Sequence, residues 1–517
     1  TDIILYIEDE EDKEFLEKSR IEVLLRKYCK FLPVPVVFGK EQEWKDGKYV
    51  DTDRDNIINN IAPLWARKPS ELKDEDYLKF YHDILPGQDD PLFWIHLNVD
   101  YPFTLTGILY FPKIRNNIEI NKNRIQLYCN QVFVTDSVEG VVPEFLMLLQ
   151  GVIDSPDIPL NVSRSYLQSD SNVKKIASYI TKKVASRLED IAKNDHKSFE
   201  EKWNDIKLFI EYGMLTDEKF CEPAMKFALV EDTEEKFFKL EDYRKLIESA
   251  QTDKDGNVVY LYATDKEQQY SYIKAATDKG YSVLLMNGQL DVHFIGMLEQ
   301  KIEKSRFVRV DSDVIDNIIP SADKKESDIT SLQRTMLTTV FKSQIPAIDK
   351  SEFFISFESV SADAQPVVIT QSEYMRRMKD MAALQPGMSF YGELPDSYNL
   401  TLNTNHPVVK RIMEDAQAAV GSRIEELEND LAAANAAIKA INDAKDGNKE
   451  LDEEQKKQLA DNEARAAELR KQKETELTEY ANGQDKVKQL VDIALLSNGM
   501  LKGEALSKFL QRSIDLL

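Results

Sequence analysis

The stretch Gly151 to Gln168, GVIDSPDIPLNVSRSYLQ, limits this chain more than any other. Gly151, Asp154, Pro156, Asp157 and Pro159 crowd its first half. Each disfavours continuation of a helix or strand, so the composition predicts a loop there. The second half, Asn161 to Gln168, suits the start of a short helix, with Asn161 or Ser163 able to cap exposed N–H groups. Arg164 and Gln168 are four apart, so one helical turn puts them on the same face. A guanidinium and a carboxamide held together on a loop suit phosphate oxygens. The same spacing also suits a surface ion pair for Arg164 beside a solvated Gln168. An apolar helical segment, Phe145 to Leu149, leads into the stretch, and a long amphipathic helix leads out from about Val173.

The wording of the stretch is more specific than its spacing. GVIDSPDIPLNVSR resembles the signature loop of the ninety-kilodalton heat-shock chaperone family, which usually reads G-V-V-D-S-x-D-L-P-L-N-[VI]-S-R-E-x-L-Q; Pro156 fills its open position, and Ser165 departs where the family commonly has Glu. The resemblance implies that the loop belongs to a middle domain. It also implies that Arg164 and Gln168 reach the γ-phosphate of ATP held by a separate N-terminal domain, with Asn161 at a further position of this catalytic loop. ATP and magnesium are then cofactors of the full-length protein, and none is expected in this chain. No segment reads like that domain's Asn-bearing helix or its Asp-x-Gly-x-Gly nucleotide loop. The expectation is a fragment of an ATP-dependent chaperone that is inactive as an ATPase alone.

Length and charge agree with a protein partner. A chain of 517 residues suggests two to four domains, and a formal charge of −24 disfavours a phosphate backbone, hence no nucleic acid. Cys29, Cys129 and Cys221 form no CxxC pair, which suits a reducing compartment, and the resemblance implies the cytoplasm. No apolar run of about 18 residues is present, so no membrane span is expected.

The fold class expected is α/β and α+β multidomain. Residues 1–315 resemble a chaperone middle domain, with the loop at about 151–168. Within it Ile3 to Ile7 reads as a strand, Phe15 to Phe31 as a helix, and residues 39–56 as a loop or charged hairpin. Leu92 to Val99, Leu105 to Phe111 and Ile125 to Thr135 alternate as strands of one sheet in an α/β sandwich. Helices from about Val173 to Leu229 form a linker bundle. Residues 256–311 form a small βαβαβ unit, whose sheet is expected to be parallel. Trp65 lies where the family has a tryptophan linked with client contact; the residues alone equally suit an aromatic that anchors its loop.

Residues 316–330 read as a linker and 331–517 as an α+β C-terminal dimerisation domain. Ser372 to Leu384 is expected to be a helix with Tyr374, Met375, Met378 and Met381 on one side and Arg376, Arg377 and Lys379 flanking. Methionines at that spacing either fill a core or present an adaptable surface; the resemblance favours a client-binding surface. Residues 422–480 depart from the family and read as an inserted helical hairpin of coiled-coil type, with arms of about 30 Å. The final helices carry Val487, Leu490, Val491 and Leu495, then Leu506, Phe509, Leu510 and Ile514. Pairing these stripes between two copies gives a homodimer, as in the family. The alternatives are that they fold back on their own domain or that the hairpin pairs instead. A nucleotide-independent dimeric protein-binding scaffold is the second functional reading; non-native client proteins are the partners in the first.

Overall fold

The computed structural model describes residues 2–7, 10–45, 47–113, 125–136, 138, 142–158, 171–320, 327–384, 394–443 and 452–515. The chain is a mixed α and β multidomain protein with several small sheets. It divides into two units. The first is Thr1–Leu229 with Phe237–Glu241 and Gly288–Leu290; the second is Val230–Lys236, Asp242–Asn287 and Asp291–Leu517.

The first unit opens with helix α1 (Lys18–Tyr28) and the antiparallel hairpin β1 (Val37–Lys45) and β2 (Lys48–Ile57). Helix α2 (Asp74–Ile84) follows, capped by the Asp76 carboxylate on the Lys73 backbone N–H. Strands β3 (Phe93–Val99), β4 (Leu105–Phe111), β5 (Ile125–Cys129), β6 (Val132–Thr135) and β7 (Gln150–Asp154) form one sheet in the order β3-β4-β7-β5-β6. Helices α3 (Ser171–Asn194), α4 (His196–Thr216) and α5 (Glu218–Ala224) complete the unit.

Strand alternation explains the layering. On β4, Ile108 and Tyr110 join a cluster with Trp65, Phe80 and Tyr81, while Phe111 points the other way and meets Phe209 of α4 at 5.1 Å between rings. Phe145 bridges Phe209 and Phe220 on that second side. The sheet is thus covered on both faces.

The predicted loop at Gly151 to Asp154 is instead the central strand β7, antiparallel to β4 and parallel to β5. All five of its residues are buried. Ladder hydrogen bonds on both sides and burial of Val152 and Ile153 override the turn-forming residue types. Gly151 is required here: its φ is +131°, and a Cβ would stand 2.0 Å from the Ile108 carbonyl oxygen. The predicted strand at Ile3 to Ile7 is absent, because these residues pair with no described strand.

In the second unit β8 (Val258–Ala263), α6 (Tyr270–Thr277), β9 (Val283–Leu285), α7 (Asp291–Lys301) and β10 (Ser305–Arg309) make a parallel sheet ordered β9-β8-β10, as expected. Helix α8 (Ser331–Lys342) starts at a capping box between Thr330 and Gln333. Strands β11 (Ser351–Glu358) and β12 (Val367–Gln371), helix α9 (Glu373–Leu384) and strand β13 (Asp396–Asn403) follow. Strand β13 is central, parallel to β11 and antiparallel to β12.

Helices α10 (Pro407–Asp443) and α11 (Glu453–Asn482) form the long hairpin, and α12 (Asp485–Ser497) and α13 (Gly503–Asp515) end the chain. The arms are longer than expected, about 55 and 45 Å at 1.5 Å per residue, because α10 runs unbroken from Pro407. One core joins α8, the β11–β13 sheet, the hairpin base and α12 through Phe341, Leu400, Leu427, Leu477 and Val491.

The close approach at Gly151 predicts that Gly151→Ala loses more than about 4 kcal/mol of stability, since backbone would have to move. Gly296→Ala, in open space on α7, should gain about 0.5–1 kcal/mol. Thermal denaturation of the two variants checks the contrast.

Candidate functional site

Strand β7 delivers the chain to residues 159–170, so Asn161, Arg164 and Gln168 lie outside the described residues; the root of their loop is described. Gln150, Val152 and Asp154 share one face of β7. At one end of that face the Tyr81 hydroxyl donates to Gln150 Oε1 at 2.7 Å. At the other, Asp154 Oδ2 accepts from Trp65 Nε1 at 3.1 Å and from the Gln131 backbone N–H at 3.0 Å. The next residues are pinned too. Ser155 Oγ donates to the Thr104 carbonyl at 2.7 Å, and Asp157 Oδ2 accepts from the Thr104 N–H at 2.6 Å.

Trp65 is 1% exposed and packs against Phe31, Phe80 and Tyr128. Burial corrects the client-contact reading: in this structure its indole has no surface to offer, and it anchors its loop. His96 Nε2 lies 3.3 Å from the Trp65 carbonyl, and His96 Nδ1 lies 2.8 Å from the Tyr77 hydroxyl. Burial pushes the His96 pKa down, with the bond to Trp65 partly opposing it. The neutral ring donates through Nε2–H to Trp65 and accepts from Tyr77 at Nδ1. Burial pushes the Asp154 carboxyl up, while the bonds from Trp65, Gln131 and Asn130 pull it back in part.

Helix α9 is held through charge. Arg377 donates from Nε to Glu373 at 2.7 Å, from Nη1 to Glu299 at 2.8 Å and from Nη2 to the Phe307 carbonyl at 2.5 Å. Glu373 also accepts from the Tyr262 hydroxyl at 2.7 Å and from the Arg309 N–H at 3.0 Å. Arg309 binds Asp311 through two bonds of 2.8 and 2.9 Å, and Arg376 adds a third at 2.7 Å. Lys379 reaches Asp396 at 2.6 Å. Burial pushes the Asp311 carboxyl up, but Arg309 and Arg376 outweigh it and hold its pKa at about 2.

At 100° per residue Glu373, Arg376 and Arg377 define one side of α9, and Tyr374, Met375 and Met378 the other. Tyr374 is 66% exposed, and both methionines are half-buried. The side chain of Met381 lies outside the described residues. The sequence placed the arginines as flanking charges. Their partners Glu299, Phe307 and Asp311 were missed because they lie tens of residues away; Glu373, four before Arg377, and Gln371, five before Arg376, were local.

The terminal helices differ from expectation. Val487, Val491, Leu495 and Phe509 are buried in their own chain's core, and Leu490 and Leu506 pack against it. The fold-back alternative therefore accounts for most of the predicted dimer stripe. Leu510 and Ile514 remain exposed, at 53% and 65%, and Ile493 and Leu496 join them. Asp492, buried between the helices, pairs with Lys488 and Arg512.

Comparison with known proteins gives the chain its class. The family model described as Hsp90 protein matches residues 40–476. The chain is 59% identical over 522 residues to the chaperone protein HtpG of Bacteroides thetaiotaomicron, covering all of this chain and 76% of that protein. It is 56% identical over 519 residues to HtpG of Porphyromonas gingivalis, with the same coverage. HtpG of Dechloromonas aromatica is 31% identical over 311 residues, 58% of this chain and 48% of that one. The chain belongs to the Hsp90 protein family and is a chaperone of that type.

The charge network makes a signed prediction. The pKa of Asp311 lies below its ordinary value of 3.8, so its contribution is present above about pH 4 and is lost as pH falls towards 2. Asp311→Asn leaves two buried guanidinium groups underpaired and should cost about 3–5 kcal/mol at pH 7. The gap between the thermal midpoints of the two proteins should narrow as pH falls from 4 to 2.

Proposed function

We propose that the chain supplies the middle and C-terminal parts of an ATP-dependent chaperone that binds and remodels non-native proteins. The observation that carries this reading is the signature GVIDSPDIPLNVSR, leaving a buried strand from a root pinned at Asp154, Ser155 and Asp157. Residues 1–315 act as the middle domain, 316–330 as a linker and 331–517 as the C-terminal domain. ATP and Mg²⁺ are held by a domain outside this chain, in the cytoplasm. Arg164 offers its guanidinium to the γ-phosphate, where negative charge must be stabilised, with Gln168 and Asn161 beside it.

Exposure in the first residues supports a covering domain. Ile3, Leu5 and Tyr6 are more than 80% exposed, and Val23, Val37, Trp44 and Tyr49 at least 50%. Helix α1 buries no residue. Exposed apolar side chains this numerous in one stretch of sequence suit an interaction site, and we assign them to contact with the ATP-binding domain. Client contact falls to Tyr374, Met375 and Met378, whose mixed aromatic and thioether surface adapts to varied partners.

The dimer forms through Ile493, Leu496, Leu510 and Ile514, with Leu490 and Leu506 at its edge. The same stripe needs no nucleotide, which favours the dimeric scaffold as the second reading.

In the complete protein Arg164→Ala should slow ATP hydrolysis at least about tenfold with nucleotide binding retained. Unchanged turnover would favour the scaffold. Leu510→Glu with Ile514→Glu should turn a sedimenting dimer into a folded monomer; a dimer that persists would place the interface elsewhere.

A further inference from the structure

Two kinds of anchor hold the root of the loop. Ser155 and Asp157 bind the Thr104 backbone, and Asp157 is exposed to solvent. These bonds involve ordinary, well-solvated or fully paired groups. Asp154 is different. It is 5% exposed, and its Oδ1 meets no hydrogen-bond donor among the described residues. Gln131 Oε1, on the turn that donates to the same carboxyl, is also without one.

That turn is the two-residue connection of the β5–β6 hairpin. Asn130 and Gln131 have φ of 51° and 65°, in the left-handed region that residues other than glycine seldom adopt. The turn aims the Gln131 N–H at Asp154 Oδ2. The second donor, Trp65, is fixed from its other end by His96 and Tyr77. A buried, half-paired carboxyl opposes stability, and an amide of the same shape would remove the buried charge. Features retained against stability point to function.

We propose that Asp154 is a positioning residue. By binding the Trp65 indole and the 130–131 turn through one oxygen, it joins two loops and the exit of β7 into one rigid piece. That piece sets where the segment bearing Arg164 begins. A carboxylate makes stronger hydrogen bonds than a carboxamide, so the side chain's charge and not its shape is what couples the loops. The inference rests on the role proposed for the loop, and its test keeps the two apart.

The test uses the complete protein with Asp154→Asn, Asp154→Ala and Arg164→Ala. Asp154→Asn is expected to lower kcat for ATP hydrolysis about tenfold with KM unchanged, while its thermal midpoint stays level or rises. Asp154→Ala is expected to speed hydrogen exchange at 61–66 and 128–133 together, with exchange in α8 unaltered. A midpoint that falls with kcat in Asp154→Asn would show a merely structural role and overturn the proposal. So would an unchanged kcat in Asp154→Asn beside a slowed Arg164→Ala. Should Arg164→Ala leave hydrolysis untouched, the reading of the loop fails, and the exchange result alone decides whether Asp154 couples the two segments.

Discussion

The first unit depends on a strand that is buried throughout yet begins and ends with polar side chains. Val152 and Ile153 of β7 belong to opposite covered faces of the sheet, so the strand cannot move without opening both. Its polar ends are tolerated because each meets an aromatic donor already fixed in the core, Tyr81 for Gln150 and Trp65 for Asp154. A buried polar group without such a partner would destabilise the unit by about 1–3 kcal/mol. The strand is therefore registered by chemistry as well as by packing: a slip of one residue would turn both polar groups away from their donors. The loop that follows inherits that register.

Legibility followed from how local each signal was. The alternating run at Phe93–Val99 and the stripe of α3 could be read directly, because one face of each meets the core, and Leu105–Phe111 from its continuous apolar composition, buried on both faces. The βαβαβ unit was legible for the same reason. Gly151 and Asp154 misled because their types signal a turn, whereas their reason is non-local: a carbonyl of β4 against one and an indole 89 positions away for the other. Ile3 to Ile7 has strand composition, but no described strand pairs with it, and composition cannot supply a ladder. On α12 a stripe reports that a face is covered but not by what. Val487 and Leu495 meet their own core, and among the helix's large apolar side chains Ile493 and Leu496 are the exposed ones. The candidate site was legible as a motif; its supports were not, since Trp65, Gln131 and Asp154 converge only in three dimensions.

The second unit shows why a helix is docked by arginines when apolar packing is ordinarily the stronger glue. Replacing a buried ion network by hydrophobic residues is often neutral or stabilising, so Arg309, Asp311, Arg376, Arg377, Glu299 and Glu373 are not there for stability alone. Charge-assisted bonds fix direction in a way that apolar contact does not. Arg377 alone reads Glu373, Glu299 and a carbonyl at once, which leaves α9 one orientation.

That orientation decides what α9 can do. An amphipathic helix docked in the usual way would bury its apolar side against the core and turn its charges to water. Here the charged side is inward, paired with the residues around β8 and β10, and the Tyr374–Met375–Met378 side is turned away from it. Holding a helix by its charges is what leaves its adaptable side chains partly uncovered. The methionines can then serve as surface without the helix losing its place. The network and the apolar face are two halves of one arrangement, since weakening the arginines would let the helix roll and bury the face that they keep available.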